Sequence, residues 1–81
     1  MLEPQQIETW ITEGMPCLFA HVEGDGQHFD AVIVSAEFSG LNRVKRQQRV
    51  FDTVRTHLAS GTLHALSMKT LTPEEWEASR G

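Results

Sequence analysis

The stretch CLFAHVEGDGQHFDAVIVS, residues 17–35, decides the fold. Its two halves, Cys17–Glu23 and His28–Ser35, are rich in β-branched and aromatic residues, which favour strands. Between them the segment Gly24–Gln27 supplies glycines for the positive φ angles that a tight turn requires. The pattern therefore predicts a β-hairpin.

A short amphipathic helix is predicted before the hairpin, over Pro4–Glu13. Apolar residues recur there at helical spacing, and Gly14 followed by Pro16 ends the helix. After the hairpin, Glu37–Asn42 predicts a turn with a half-turn of helix, anchored by Phe38.

A longer amphipathic helix is predicted over Arg43–Ala59, with Gly61 ending it. Its expected apolar stripe consists of Val44, Phe51, Val54 and Leu58. Thr62–Lys69 then predicts a third strand, and a capping box of Thr72 and Glu75 around Pro73 begins a short last helix.

This order of elements, α-β-β-α-α-β-α, predicts an α+β fold with helices on one face of a three-stranded sheet. The segment between the second and third strands is long enough for a parallel crossover, so the sheet is expected to be mixed. With 81 residues, the chain has room for one core, and residues 1–81 are expected to form a single domain.

Composition narrows the class of protein further. Hydrophobic residues make up 40% of the chain and charged residues 22%, as in ordinary globular proteins. No apolar run is long enough to span a membrane, the N-terminus does not resemble a secretory signal, and the single cysteine cannot form an internal disulfide. These features predict a cytoplasmic protein. In the absence of a partner, the chain is expected to be a monomer or a weak homodimer.

Charge is distributed unevenly. Residues 41–56 hold five cations against one acid, about +4, whereas the net charge of the chain is −4 and the remainder is therefore about −8. The predicted long helix thus presents a basic face on an otherwise acidic protein.

Four separated motifs carry a resemblance to a known family. They are VEGDGQHF (residues 22–29), FSGLNRVKRQQRV (38–50), LHALSMK (63–69) and TPEEW (72–76). Together they resemble BolA proteins, and the GDGQHF and TPEEW pieces look most like the IbaG (YrbA) branch. The family's fold is similar to that of class II KH domains, which agrees with the predicted order of elements.

The resemblance implies a partner and a metal site. BolA proteins pair with monothiol glutaredoxins and share a bridging 2Fe–2S cluster, whose other ligands are the glutaredoxin cysteine and glutathione. In this sequence the matching ligands are His64, at the start of the third strand, and His28, beside the hairpin turn. A cluster needs about four thiolate or imidazole ligands, and the resemblance assigns two of them to this chain, so a cluster would lie at an interface where a partner completes its coordination.

Each histidine also has a structural interpretation. A polar residue after a glycine-rich turn needs no function, which applies to His28. His64 has the parity of Leu66 and Met68, so strict alternation turns it toward their face unless it lies at the frayed beginning of the strand. From the residues alone both alternatives stay open, and the resemblance favours the ligand role.

The basic helix supports a second hypothesis, binding of nucleic acid or of an acidic partner through Arg43, Lys45, Arg46 and Arg49. A KH clamp needs a G-x-x-G loop, but Gly40 is followed by Leu41, Asn42 and Arg43, so the second glycine is missing. A solvated helix face is the simplest alternative. Transcriptional regulation by a KH-like domain therefore ranks second.

The remaining candidates are interpreted as structural. Cys17 is expected to fill space as a small apolar residue. Trp10 and Trp76 are expected to pack against the sheet or each other, and His21 and His57 to lie on the surface. No nucleophile and base pair stands at plausible loop positions and no phosphate-binding glycine loop is present, so the sequence predicts a protein that is not an enzyme.

Overall fold

The computed structural model describes residues 1–80, and Gly81 lies outside the described residues. Four α-helices, three strands and one 3-10 turn follow the predicted order. They are α1 (Pro4–Gly14), β1 (Phe19–Gly24), β2 (His28–Val34), the 3-10 turn (Ala36–Phe38), α2 (Arg43–Thr53), α3 (Arg55–Ala59), β3 (Ala65–Leu71) and α4 (Pro73–Arg80).

The sheet has the order β1-β2-β3, with β2 in the centre. β1 pairs antiparallel with β2 through the predicted hairpin, and β2 pairs parallel with β3. The prediction of a mixed three-stranded sheet in an α+β fold is therefore confirmed. Since β2 and β3 are parallel, the first residues of both strands lie at the same edge of the sheet, here called the amino edge.

The core lies between one face of the sheet and the helices α1 and α2. Phe29, Ala31 and Ile33 alternate along β2 and are at most 3% exposed. They pack with buried residues of the other elements. These are Ile7, Ile11, Met15, Val22, Phe38, Val50, Val54 and Leu63.

The last helix departs from the expectation that helices cover only one face. Trp76 of α4 stacks on Phe19, with ring centroids 4.9 Å apart. Phe19 pairs with Val34, and both have the strand parity opposite to that of the core residues Val22 and Ile33. The α4 helix therefore covers one end of the second face of the sheet.

The predicted long helix is two helices. Val54, with φ −120° and ψ 13°, separates α2 from α3, and its side chain is buried in the core. Val44 is 61% exposed, so its place in the apolar stripe was wrong. Trp10 stacks on His57 with ring centroids 3.5 Å apart, which ties α1 to α3.

The predicted cap of the last helix is confirmed. The backbone N–H of Thr72 donates to Oε1 of Glu75 at 2.8 Å, and the backbone N–H of Glu75 donates to the Thr72 hydroxyl at 3.1 Å. Among residues 1–80, no helix combines the length and apolar character needed to cross a membrane.

Candidate metal site at the amino edge of the sheet

His28 and His64 are brought to the same edge of the sheet by the parallel pairing of β2 and β3. His28 is the first residue of β2 and pairs with Ala65, the first residue of β3, which follows His64 directly. Neighbouring strands lie about 4.8 Å apart. Both histidines are exposed, so neither ring is sealed beneath other side chains.

The hairpin turn holds the beginning of β2 in place. Oδ1 of Asp25 accepts hydrogen bonds from the backbone N–H groups of Gln27 and His28, both at 2.9 Å. Gly26 adopts φ +98°, which favours glycine. At Gly24 a Cβ atom would lie 2.3 Å from the ring of Phe29 and 2.5 Å from the carbonyl oxygen of His28, so the turn needs glycine there as well.

The ring of His64 is oriented toward this turn. Its Nδ1 lies 3.1 Å from Oε1 of Gln27. This contact engages Nδ1 and leaves Nε2 as the ring nitrogen that no other described residue contacts. A histidine whose Nδ1 is held by a neighbour can bind a metal through Nε2.

Strand alternation adds a constraint on the two rings. The side chain of His28 shares the face of Ala65, and strict alternation would turn His64 to the opposite face. His64 precedes β3, however, and its contact with Gln27 directs the ring toward the hairpin turn. The two imidazoles therefore share the edge of the sheet rather than one of its faces.

The importance of Asp25 and Gln27 was not predicted. The Asp-Gly pair in the turn was the available signal for Asp25, because aspartate side chains commonly accept backbone hydrogen bonds two residues on. Gln27 carried no signal, since its contact with His64 joins residues that are 37 positions apart.

Among residues 1–80, no group of three or more His, Cys, Asp or Glu side chains is arranged to hold a metal ion.

Acid should release the turn only at low pH. The backbone N–H of His28, and next that of Gln27, hold the pKa of Asp25 below its ordinary value. Because the folded pKa is lowered, the stabilisation is complete above the unfolded pKa of about 3.9 and is lost as pH falls through the lower folded value. We expect the backbone amide resonance of Gln27 to keep its neutral-pH position down to about pH 3.9 and to shift at lower pH.

The substitution Asp25→Asn provides the control for this titration. The asparagine oxygen still accepts hydrogen bonds but does not titrate in this range, so the acid-dependent movement of the Gln27 resonance should disappear. Equal movement in both proteins would contradict the assigned role of Asp25.

The four basic residues of α2 fall into two groups. Arg46 donates to Oε1 of Glu75 at 2.7 Å and to the carbonyl oxygen of Leu41, and Arg49 donates to Glu37 at 2.9 Å. Arg43 and Lys45 are exposed and have no acidic partner within residues 1–80. Arg46 and Arg49 thus join elements of the domain, whereas Arg43 and Lys45 remain available to a ligand.

Cys17 and His21 have local surroundings that account for them. Burial raises the pKa of the Cys17 thiol, with a smaller contribution from the charge of Glu37, and the side chain packs against the core. The exposed ring of His21 lies between Glu8 and Glu23, 3.8 Å and 3.6 Å from their carboxylates.

Comparison with known proteins identifies the family. The model of the BolA-like protein family matches residues 13–75. The acid stress protein IbaG of Escherichia coli K12 is 35% identical over 79 residues, covering 98% of this chain and 94% of IbaG. The structure of a BolA protein homologue from Coxiella burnetii superposes with a TM-score of 0.82 at 38% identity, covering 95% of this chain and 99% of that one.

The chain belongs to the BolA family. Its similarity to IbaG over nearly the full length of both proteins supports the IbaG branch. A third relative, named DNA-binding transcriptional regulator BolA, from Haemophilus influenzae, is 42% identical over 55 residues, which are 68% of this chain and 52% of that protein.

Proposed function

We propose that this protein binds a monothiol glutaredoxin and, without acting as an enzyme, contributes histidine ligands to a 2Fe–2S cluster shared with that partner and glutathione. The role belongs to iron–sulfur trafficking or to the response to iron or acid stress in the cytoplasm. The resemblance to BolA proteins supports the partner and the cluster, and the position of two histidines at the amino edge of the sheet supports their role as ligands.

The observation that carries the proposal is the position of His28 and His64 at one exposed edge. Folding brings two imidazoles, 36 residues apart in sequence, to the beginnings of neighbouring parallel strands, His28 as the first residue of β2 and His64 directly before β3. The contact between His64 and Gln27 engages Nδ1 of the ring and leaves Nε2 to another partner. Both properties are needed by a residue that ligates iron at an interface.

The donor set fits a cluster that is completed by another molecule. Imidazole nitrogens serve as iron ligands in clusters that thiolates otherwise hold, and they make the cluster less negatively charged. Two imidazoles leave the remaining positions to thiolates of a partner. The half-buried Cys17 keeps its proton because burial raises its pKa, so it is a poor candidate for one of them.

Reconstitution tests the proposal. The protein is mixed with a monothiol glutaredoxin, iron, sulfide and glutathione, and the complex is isolated by gel filtration and measured by visible absorption and circular dichroism. We expect a coloured heterodimer, a weakened spectrum for His64→Ala, and loss of the heterodimer spectrum when His28→Ala is added.

The matched control is His21→Ala, which removes another exposed histidine of the same sheet away from the amino edge. It should leave the spectrum of the complex unchanged. A double variant, His28→Ala with His64→Ala, that retains the wild-type spectrum would show the ligand assignment to be wrong.

A second candidate function is binding of nucleic acid, favoured by one observation. Arg43 and Lys45 are exposed in the first turn of α2 without acidic partners in the described part of the chain. Such cations supply the electrostatic part of nucleic-acid affinity. A relative from Haemophilus influenzae bears the name of a DNA-binding regulator.

A gel shift with duplex DNA tests this alternative. Binding should weaken steeply with salt and should be lost in the double variant Arg43→Glu with Lys45→Glu. These two residues are better targets than Arg46 and Arg49, because replacing the latter also breaks contacts within the domain. Absence of a shift at low salt would remove the hypothesis.

A further inference from the structure

Each outer edge of the sheet has one outward backbone group that a helix side chain binds. On the β1 side, the outward N–H of Val22 donates to Oε2 of Glu8 in α1 at 2.8 Å. On the β3 side, the direction of each peptide group follows from the ladder. The Ser35 N–H donates to the Leu71 carbonyl oxygen. The backbone N–H and C=O groups of every second residue of β3, counted back from Leu71, therefore point toward β2.

The residues between them face outward. The carbonyl oxygen of Thr70 points away from β2 and accepts from Nη1 of Arg46 at 3.4 Å. By the same alternation, the N–H and C=O groups of Leu66 and Met68 also point outward. None of the hydrogen bonds within residues 1–80 engages these four groups. The β3 edge therefore offers two donors and two acceptors at the spacing of a neighbouring strand.

A groove runs between this edge and α2. It consists of two depressions, one of about 270 Å³ and one of about 720 Å³. Both are lined by Arg43 and Met68, so they lie side by side along β3. The groove extends from Phe51 and Leu66 at one end to Leu71 and Glu75 at the other.

The charge of the groove is positive. Its charged lining residues are Arg43, Arg46, Lys69 and Glu75. Arg46 and Glu75 neutralise each other at 2.7 Å, which leaves Arg43 and Lys69. Neither of these two has an acidic partner within 4.0 Å among the described residues. The chain as a whole has a net charge of −4, so two unpaired cations beside an open strand edge are unusual on it. They favour a ligand that carries carboxylates.

We propose that the β3 edge and this groove bind an extended acidic segment of a partner protein, which adds a fourth strand beside β3. The peptide groups of Leu66 and Met68 would pair with the segment, and Arg43 and Lys69 would contact its carboxylates. Strand addition of this kind takes affinity from main-chain hydrogen bonds and specificity from side chains on either face. Neither His28 nor His64 of the proposed cluster site lines this groove.

A polypeptide fits this surface better than a nucleic acid does. The unpaired N–H and C=O groups alternate as another strand requires, and a phosphate backbone offers no donors to the two carbonyl groups. The groove also contains the carboxylate of Glu75, and the rest of the chain outside residues 41–56 carries about −8. A segment with a few carboxylates meets less repulsion than a polyanion.

The test is a titration of the full chain, labelled with ¹⁵N, with a short blocked peptide of alternating valine and glutamate. We expect the largest amide shifts at Leu66 and Met68, whose N–H groups face outward, and smaller shifts at Ser67, whose N–H faces β2. The double variant Arg43→Glu with Lys69→Glu should weaken binding by about tenfold or more.

Two controls make the result specific. Lys45→Glu makes the same charge change on the same helix outside the groove and should alter the affinity by less than about twofold. The double variant His28→Ala with His64→Ala should bind the peptide normally, so failure of the cluster site and failure of this surface are distinguishable. The proposal is overturned if the shifts lie elsewhere, if a valine–lysine peptide binds equally well, or if a single-stranded oligonucleotide binds this groove more tightly at the same ionic strength.

Discussion

Replacing Phe29 with alanine should lower the free energy of unfolding by about 3–5 kcal/mol. The ring is 1% exposed in the central strand and covers Gly24 of β1, whose missing side chain it replaces. Truncation leaves a cavity that the neighbouring strands cannot close. Domains of this size have only about 4–12 kcal/mol of stability, so a large share would be lost. Urea unfolding followed by tryptophan fluorescence measures the change.

Phe19→Ala is the matched control. Phe19 lies on the other face of the sheet, is 39% exposed and contacts Trp76. Its truncation should cost no more than about 1.5 kcal/mol. If the two alanine variants lost the same stability, the assignment of the core to the Phe29 face would be wrong.

The second large effect is expected from Arg46→Met, which should lower the free energy of unfolding by about 1.5–3 kcal/mol. The side chain is 15% exposed and connects three parts of the chain. It donates to the carbonyl oxygens of Leu41 and Thr70 and to the carboxylate of Glu75, which closes the capping box of α4. Methionine keeps much of the volume but none of these donors.

Arg43→Met makes the same chemical change three residues earlier on the same helix. Arg43 is exposed and has no acidic partner among residues 1–80, so its replacement should alter the stability by no more than about 0.5 kcal/mol. Chemical denaturation of the two variants side by side gives the comparison. A greater loss for Arg43→Met than for Arg46→Met would contradict the division of the basic residues into structural and available groups.

Acid should also weaken the contact between Arg46 and Glu75. The side-chain hydrogen bond from Arg46, and next the backbone N–H of Thr72, lower the pKa of Glu75. A lowered pKa means that the carboxylate stabilises the fold above its unfolded pKa, about 4.3, and ceases to do so as pH falls through the folded value. The junction of α2 and α4 therefore depends on the ionised carboxylate of Glu75, as the hairpin turn depends on that of Asp25.

Local patterns predicted most of the fold because local chemistry fixes it. The hairpin follows from Gly24–Gln27 between two β-rich runs, and the last helix begins at a capping box whose members are three residues apart. The break at Val54 and the exposure of Val44 were not predictable from the apolar stripe. An apolar stripe indicates which side of a helix is buried. It does not indicate where the helix is interrupted or which of its turns stay exposed.

The candidate site was predicted only through the family resemblance. Spacing alone favoured a structural role for His64, and its contact with Gln27 arises only after β3 has crossed to lie beside β2. The same limit applies to the basic residues. A helical pattern groups Arg43, Lys45, Arg46 and Arg49, but their division into paired and unpaired cations depends on acids located elsewhere in the chain.

The central claim of the proposed cluster site is that imidazole nitrogens of this chain are bound to iron. Hyperfine spectroscopy detects such bonds directly. The protein is labelled with ¹⁵N-histidine, assembled with unlabelled glutaredoxin, iron, sulfide and glutathione, and reduced. The proposal predicts strong ¹⁵N coupling to the reduced cluster, retained in His21→Ala and lost when His28 and His64 are both replaced with alanine. A cluster without ¹⁵N coupling, or with coupling that persists in that double variant, would contradict it.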